Sequence, residues 1–180
     1  MPGVQRRLRG RRTIRAAHVR GISCIEGEPD MSADVSDRVE IEAALRAYAV
    51  GLDERRFEMW DNVFTDDAVI DFTPMGGRRE TPAEMSNRLG SDDPNWLFAQ
   101  HPLYNTLIEV DGDQATAHSD YGVETGRRGA EEGQIVRMSG GGSYRDTLRR
   151  TPVGWRISER LVFMKWKQTV TVPDELAGRR

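Results

Sequence analysis

The sequence predicts a single α+β domain in which helices come first and an antiparallel sheet follows. Hydrophobic spacing of three and four residues, which is typical of amphipathic helices, is confined to the segment before Gly90. After Gly90 the spacing changes to two in long β-rich segments, which is typical of strands. The chain has 180 residues, enough for one domain with a substantial core.

Two helices are expected before the first strand. Over residues 36–52 the apolar side chains recur on one face of a helix, and Ser36 is suited to cap its N-terminus. Over residues 55–64 the aromatic residues lie three and four apart, which predicts a second helix. Residues 69–72 then have the pattern of a short strand.

A third helix is predicted from its start and stop signals. Thr81 is a preferred capping residue, Pro82 suits the first helical position, and Glu84 follows three residues after the cap. Gly90 is placed to end this helix. The sequence therefore predicts a capping box at residue 81.

Four strands are expected after the helices, joined as hairpins rather than through helical crossovers. This favours an α+β domain over βαβ units. We expect the polar residues 125–133 to form a connection and the glycine run 140–142 to bend a strand through a bulge. The predicted strands are residues 100–110, 115–124, 135–148 and 155–172.

Charge is distributed unevenly between the N-terminus and the body. Residues 1–20 hold seven arginines and no acid, whereas the chain from Met31 onward has 19 basic and 26 acidic residues. The start could be a basic arm or an organellar presequence, but its lack of apolar periodicity favours a disordered extension. We therefore divide the chain into an extension over residues 1–33, a domain over residues 34–172 and a tail over residues 173–180.

Several classes of function lose support from the sequence. The acidic body predicts no binding to nucleic acid, and the lack of long apolar runs predicts a cytoplasmic protein without membrane association. One cysteine and three histidines cannot form a Cys/His zinc cluster, so no metal is predicted. The G-x-S-x-G, H-E-x-x-H and G-x-G-x-x-G motifs are missing from the sequence, and we expect no cofactor.

Two residues are candidates for chemistry because of their positions. Asp53 follows the apolar stripe of the first helix at the negative end of the helix dipole, so its carboxylate needs a donor partner unless it caps a turn in solvent. His101 opens a predicted strand and shares its face with Leu103, Asn105 and Leu107. An imidazole on such a face is either a hydrogen-bonded core residue or a catalytic base.

The order of several short motifs resembles the SnoaL-like branch of the nuclear transport factor 2-like superfamily. The motifs are YAVGLDERRF at residues 48–57, FTDDAVIDF at 64–72, AQHPLYN at 99–105, GGSY at 141–144 and GWRI at 154–157. The resemblance spans about residues 36–165. It implies a cone-shaped α+β barrel, with N-terminal helices packed on a strongly curved, mainly antiparallel sheet.

The resemblance also implies an activity. In the branch's scytalone dehydratase and hexachlorocyclohexane dehydrochlorinase, the equivalents of Asp53 and His101 form a dyad inside the cone. It implies a cofactor-free enzyme that abstracts a carbon-bound proton from a small hydrophobic or aromatic oxygenated molecule, as a dehydratase-type lyase. The alternatives are an isomerase or polyketide cyclase with the same dyad, and a non-catalytic ligand-binding or dimerisation module.

The sequence departs from scytalone dehydratase near the dyad. That enzyme has a tyrosine next to its aspartate and a second histidine, whereas this chain has Leu52 and the residues 123–125. Exposed sheet surface that includes Trp166 predicts a homodimer. Position makes Tyr48, Tyr104, Asn105 and Glu124 candidates for substrate binding, and it makes Glu124 or Asp120 a candidate second acid/base group.

Overall fold

The computed structural model describes residues 31–90 and 93–175, so most of the predicted extension and the end of the predicted tail lie outside it. The helices are α1 (Met31–Asp53), α2 (Pro82–Leu89) and two 3₁₀ helices, Phe57–Asn62 and Thr73–Met75. The strands are β1 (Phe64–Asp71), β2 (Arg79–Glu80), β3 (Trp96–Gln100), β4 (Leu103–Asp111), β5 (Gln114–Arg128), β6 (Gln134–Thr151) and β7 (Gly154–Pro173).

The seven strands form one curled, unclosed sheet in the order β2-β1-β7-β6-β5-β3. All neighbouring strands are antiparallel except β1 and β7, which are parallel. Strands β3 and β4 pair with different parts of β5, so the chain steps from one to the other at residues 101–102. The α+β prediction is confirmed.

Helix α1 packs its apolar stripe against the sheet, on what we call the inner face. Ile41, Leu45 and Tyr48 are almost completely buried, as the helical spacing predicts. Burying each such side chain contributes roughly 1.5–3 kcal/mol. The helix is longer than predicted, because it begins at Met31 and extends to Asp53.

Polar contacts of the buried Asp37 hold the N-terminal part of α1. The Asp37 carboxylate accepts hydrogen bonds from both terminal nitrogens of Arg150, at 2.7 and 2.6 Å, and from the Trp155 indole at 3.1 Å. The Arg150 guanidinium also lies over the Trp155 ring, 4.6 Å from its centroid. These hydrogen bonds lower the pKa of Asp37, with that from Arg150 having the largest effect. They join α1 to the turn between β6 and β7.

Replacing Asp37 by asparagine is expected to lower the free energy of unfolding by about 1–2 kcal/mol at neutral pH, because the buried Trp155 indole and the partly exposed Arg150 guanidinium lose a charged acceptor. The folded-state pKa of Asp37 is depressed, so its stabilising effect is present above the usual value of 3.8 and is lost as the pH falls through the folded value. Urea unfolding at pH 7 and pH 3 should therefore show a smaller difference between wild type and variant at pH 3. An equal difference at both values would contradict this assignment.

The glycine run bends β6 as predicted. The register between β6 and β7 shifts between Gly141 and Gly142, which marks a bulge. A Cβ atom on Gly142 would lie 1.8 Å from the carbonyl oxygen of Phe163, so the two backbones approach too closely for any side chain. The bend therefore requires glycine at residue 142.

We expect Gly142→Ala to lower the free energy of unfolding by about 2–3 kcal/mol through this clash. Gly122→Ala is the matched control, because its Cβ would meet only the side chains of Pro102 and Tyr104, at 3.3 Å. Thermal unfolding of both variants measures the difference. Equal losses would show that glycine 142 is not required by the backbone approach.

The other helices agree with the sequence to different degrees. Thr81 caps α2 through the predicted capping box: its hydroxyl accepts a hydrogen bond from the Glu84 backbone amide, and the Glu84 carboxylate accepts one from the Thr81 backbone amide. The second predicted helix is only the short 3₁₀ helix Phe57–Asn62, and β1 begins at Phe64 rather than at residue 69. Phe64 packs into the core from a strand instead of from a helix.

The predicted strand 100–110 is divided into β3 and β4, and two further predictions about the sheet are wrong. Residues 125–128 are not a connection but the end of β5, because β3 and β6 pair with both of its edges and Gly126 leaves room for the Phe98 ring. The predicted alternation along β4 fails after Tyr104, where a register shift accompanies a positive φ of 47° at Asn105. As a result Leu107 is 72% exposed and Ile108 is buried.

Candidate functional site

Asp53 and His101 lie in direct contact at the C-terminal end of α1. The Asp53 Oδ2 atom accepts a 2.8 Å hydrogen bond from the His101 backbone amide, and Oδ1 lies 2.5 Å from His101 Nδ1. Asp53 is the last residue of α1, and His101 occupies the step between β3 and β4 rather than the start of a strand. The side chains are 16% and 13% exposed. The chain step between two strands thus brings the imidazole onto the helix end.

This contact determines which ring nitrogen of His101 carries a proton. An ionised carboxylate can only accept hydrogen bonds, so Nδ1 of a neutral imidazole must carry the hydrogen that Asp53 accepts. The lone pair of Nε2 is then available, since that atom has no hydrogen-bond partner among the described residues. The two hydrogen bonds also supply the donors that Asp53 needs at the negative end of the helix dipole. Chemically, the arrangement is suited to proton abstraction by Nε2.

A second polar group is buried in the interior between α1 and the sheet. Arg160 of β7 is fully buried and forms a two-point ion pair with Asp146 of β6, at 2.7 and 2.9 Å. Its guanidinium carbon lies 4.0 Å from the ring centroid of Tyr48 and 4.3 Å from that of Tyr144. Its Nη1 atom is buried and has no hydrogen-bond partner in the described residues. A buried donor without a partner is suited to an oxygen atom of a ligand.

The tyrosines around Arg160 are neutral donors. Burial raises the pKa of Tyr48 to about 12, although the nearby charge of Arg160 acts in the opposite direction. Burial likewise raises the pKa of Tyr144 well above its usual range. The Tyr144 ring stacks on Tyr121 at a centroid distance of 4.2 Å, and Tyr48 stacks on Trp60 at 5.3 Å. The interior is therefore aromatic, with Arg160 as its cation.

The structure does not bring Tyr104, Asn105 and Glu124 to Asp53 and His101. Glu124 is on the face of β5 opposite the buried Tyr121 and Val123, which we call the outer face. Tyr104 is 51% exposed above Gly122 on that face, and it lines an open groove of about 480 Å³ with Glu124.

The polar residues of the outer face are paired with one another. Asn105 donates to Asp120 at 3.2 Å, and Lys165 donates to the other Asp120 oxygen at 2.6 Å. Arg137 donates to Glu124 at 2.9 Å and lowers the pKa of that carboxyl. The hydrogen bond from Lys165 is the main cause of the lowered pKa of Asp120. Both carboxylates therefore act as ion-pair partners on the outer face.

Sequence reasoning missed Arg160 and Asp146. Asp146 alternates with Tyr144 and Leu148, so a carboxylate on an apolar strand face was a usable signal. Arg160 gave no such signal, because a register shift between β6 and β7 near Leu148 puts it on the same face as Ile157, three residues earlier. The alternation in β7 is interrupted at the point where the arginine becomes buried.

The described residues contain neither a membrane-spanning helix nor a metal-binding cluster. None of the helices in this part of the chain is long and apolar enough to cross a membrane. Within residues 31–90 and 93–175, no group of three or more histidine, cysteine, aspartate or glutamate side chains is placed to hold a metal ion.

Comparison with known sequences agrees with the resemblance in the motifs. The SnoaL-like domain family matches residues 33–161. A protein described as uncharacterised from Mycobacterium tuberculosis H37Rv is 37% identical over 129 residues, which are 72% of this chain and 86% of the relative. The family match includes Asp53, His101 and the sheet from β1 to the first part of β7.

Comparison with solved structures shows the same fold at low identity. A candidate scytalone dehydratase of Novosphingobium aromaticivorans has a TM-score of 0.66 at 15% identity, covering 77% of this chain and 90% of that one. Hexachlorocyclohexane dehydrochlorinase of type 3 from Novosphingobium barchaimii has 0.64 at 17%, covering 78% and 94%. A nuclear transport factor 2-like superfamily protein of Salmonella enterica has 0.60 at 17%, covering 73% and 92%. With residues 33–161 matched, the chain belongs to the SnoaL-like family.

Proposed function

We propose that the protein is a cofactor-free lyase that removes a carbon-bound proton from a small hydrophobic or aromatic oxygenated molecule, with dehydration as its reaction. The observation that carries this proposal is the contact of both Asp53 oxygens with His101. That contact fixes the imidazole and leaves Nε2 as a base. The similar solved structures include a dehydratase candidate and a dehydrochlorinase, and both names denote elimination reactions.

In the proposed reaction, Nε2 of His101 takes the proton next to a substrate carbonyl. The electron pair of the broken C–H bond moves toward the carbonyl oxygen, giving an enolate, while Asp53 stabilises the imidazolium. The enolate then re-forms the carbonyl, a carbon–carbon double bond forms, and the C–O bond at the next carbon breaks. The leaving hydroxyl takes the proton from His101 and departs as water.

Within this proposal Arg160 and Tyr48 stabilise the negative oxygen. The buried, unpartnered Nη1 of Arg160 is a cationic donor in an aromatic interior, where such a donor has a large effect on developing charge. The hydroxyl of Tyr48 stays protonated at neutral pH and can donate. Tyr104, Asn105 and Glu124 have no role in the proposed reaction because they belong to the outer face.

The experiment is solvent deuterium exchange with a panel of 3-hydroxy ketones, 3-hydroxy esters and phenolic ketones. NMR would follow loss of the C–H signal next to the carbonyl, together with any loss of water. The proposal predicts exchange in at least one compound that disappears in His101→Gln and persists in His118→Gln, because His118 is exposed on the outer face. Exchange that survives His101→Gln would refute the role of this base.

The alternatives share part of this chemistry. An isomerase or polyketide cyclase would begin with the same proton transfer but would give rearranged or ring-closed products in the panel. A non-catalytic ligand-binding or dimerisation module is favoured by the 57% exposed Trp166, which also supports the homodimer. Sedimentation of wild type and Trp166→Ala tests the homodimer. The cytoplasmic location stays a prediction of the sequence.

A further inference from the structure

Arg55 has an unusual environment just beyond Asp53. Its backbone is in the left-handed region, with φ of 55°, which is unfavourable for a residue other than glycine. Its guanidinium lies over the Trp96 ring, 4.6 Å from the centroid, and Nη2 donates to the carbonyl oxygen of Leu89. Nη1 is buried without a hydrogen-bond partner among the described residues. The side chain thus contacts both α2 and β3 from the end of α1.

Arg55 joins two chain segments that carry the candidate site, the end of α1 and the start of β3. Asp53 precedes Arg55 by two residues, and Trp96 begins β3, which ends one residue before His101. Helix α2 ends at Leu89, whose carbonyl is among the last of the helix and has no partner within it. One guanidinium therefore links the chain segments that carry each member of the Asp53–His101 pair.

Strand β3 needs such a contact because the sheet holds it weakly. It has five residues, lies at the edge of the sheet and, within the described residues, pairs with β5 alone. Its register with β5 shifts between Trp96 and Phe98, so the pairing is irregular at the start of the strand. Edge strands with few hydrogen bonds are among the first parts of a sheet to open. Movement of β3 would move His101 away from Asp53.

We propose that Arg55 is a positioning residue for the Asp53–His101 pair. By stacking on Trp96 and bonding to Leu89, it holds the start of β3 against the end of α1. The imidazole then stays in place on the carboxylate. The catalytic consequence rests on the proposed function, whereas the positioning itself is a property of the free protein.

The test is hydrogen exchange of the His101 backbone amide, which donates to Asp53 Oδ2. We expect exchange about tenfold faster in Arg55→Ala, because stacking and a carbonyl hydrogen bond are both lost. Arg55→Lys should be faster than wild type too, since an ammonium lacks the planar face. Arg56→Ala is the matched control, because Arg56 is exposed and forms a surface ion pair with Glu58, and we expect this variant to stay within about twofold of wild type.

Two further variants separate positioning from general destabilisation. Trp96→Leu removes the stacking partner without touching Arg55 and should reproduce the faster exchange, whereas Trp96→Phe should retain most of the protection. Asp37→Asn weakens the opposite end of α1, so it should leave the ratio of His101 exchange to core amide exchange unchanged. Wild-type exchange at His101 in both Arg55→Ala and Trp96→Leu would overturn the inference.

This inference and the proposed function can fail separately. If the His101 amide depends on Arg55 but no compound shows His101-dependent proton exchange, the positioning holds and the lyase proposal fails. Alternatively, substrate proton exchange requires His101, but Arg55→Ala changes neither that exchange nor hydrogen exchange of the His101 backbone amide. The lyase proposal then holds and the positioning role is wrong.

Discussion

Replacing His101 by glutamine is expected to slow proton abstraction from the responding substrate by about 10²–10⁴-fold. Glutamine retains the backbone amide that donates to Asp53, so the chain step between β3 and β4 should keep its place. It cannot take a proton at neutral pH, because a side-chain amide is not a base. The rate of deuterium incorporation next to the substrate carbonyl measures the loss.

Two controls accompany this prediction. Circular dichroism should show an unchanged fold for His101→Gln, and His118→Gln should retain the wild-type rate. Asp53→Asn should also slow the reaction strongly, because an amide no longer fixes the Nδ1–H tautomer of the imidazole. A His101→Gln rate within threefold of wild type would show that another group removes the proton.

The second large effect is expected at the buried ion pair. Asp146→Leu should lower the free energy of unfolding by about 3–5 kcal/mol, because it leaves the Arg160 charge buried without its counter-ion. Both side chains of the pair are inaccessible to solvent in the wild-type fold, so the remaining charge would lie in an apolar interior. The rings of Tyr48 and Tyr144 pack on the guanidinium, and neither offers a carboxylate in place of Asp146. Urea denaturation of wild type and variant measures the difference.

A double variant identifies the cause of that loss. Asp146→Leu with Arg160→Met removes both charges and should recover most of the lost stability, since apolar replacements of buried pairs are often tolerated. Asp113→Ala is the exposed control, because its ion pair with Arg150 lies at the surface and should contribute little. A double variant as unstable as Asp146→Leu would show that packing, rather than the unpaired charge, controls stability here.

Much of the fold could be predicted because local pattern and burial agree. The stripe on α1 that contains Ile41, Leu45 and Tyr48 is also the buried face of the helix. The capping box at Thr81 is a local signal and appears where the sequence places it. The second predicted helix failed at Phe64, because an aromatic residue at helical spacing can also enter the core from a strand.

The candidate site could be predicted only in part because bulges change which face a residue occupies. Motif resemblance pointed to Asp53 and His101, and the structure brings these two into contact. Arg160 escaped notice because a register shift breaks the alternation of β7. At Asn105 a similar shift reverses the faces along β4. Period-two reasoning cannot locate an extra residue in a strand, so it places the side chains beyond it on the wrong face.

The most direct test of the central claim is the tautomer of the His101 ring. Two-bond ¹H–¹⁵N NMR at a pH where the ring is neutral distinguishes Nδ1–H from Nε2–H, and His118 provides an exposed reference in the same spectrum. We expect wild-type His101 to be the Nδ1–H tautomer with an unprotonated Nε2, and Asp53→Asn to lose this preference. A wild-type ring that carries its proton on Nε2 would contradict the account, because Asp53 would then not prepare that nitrogen to act as a base.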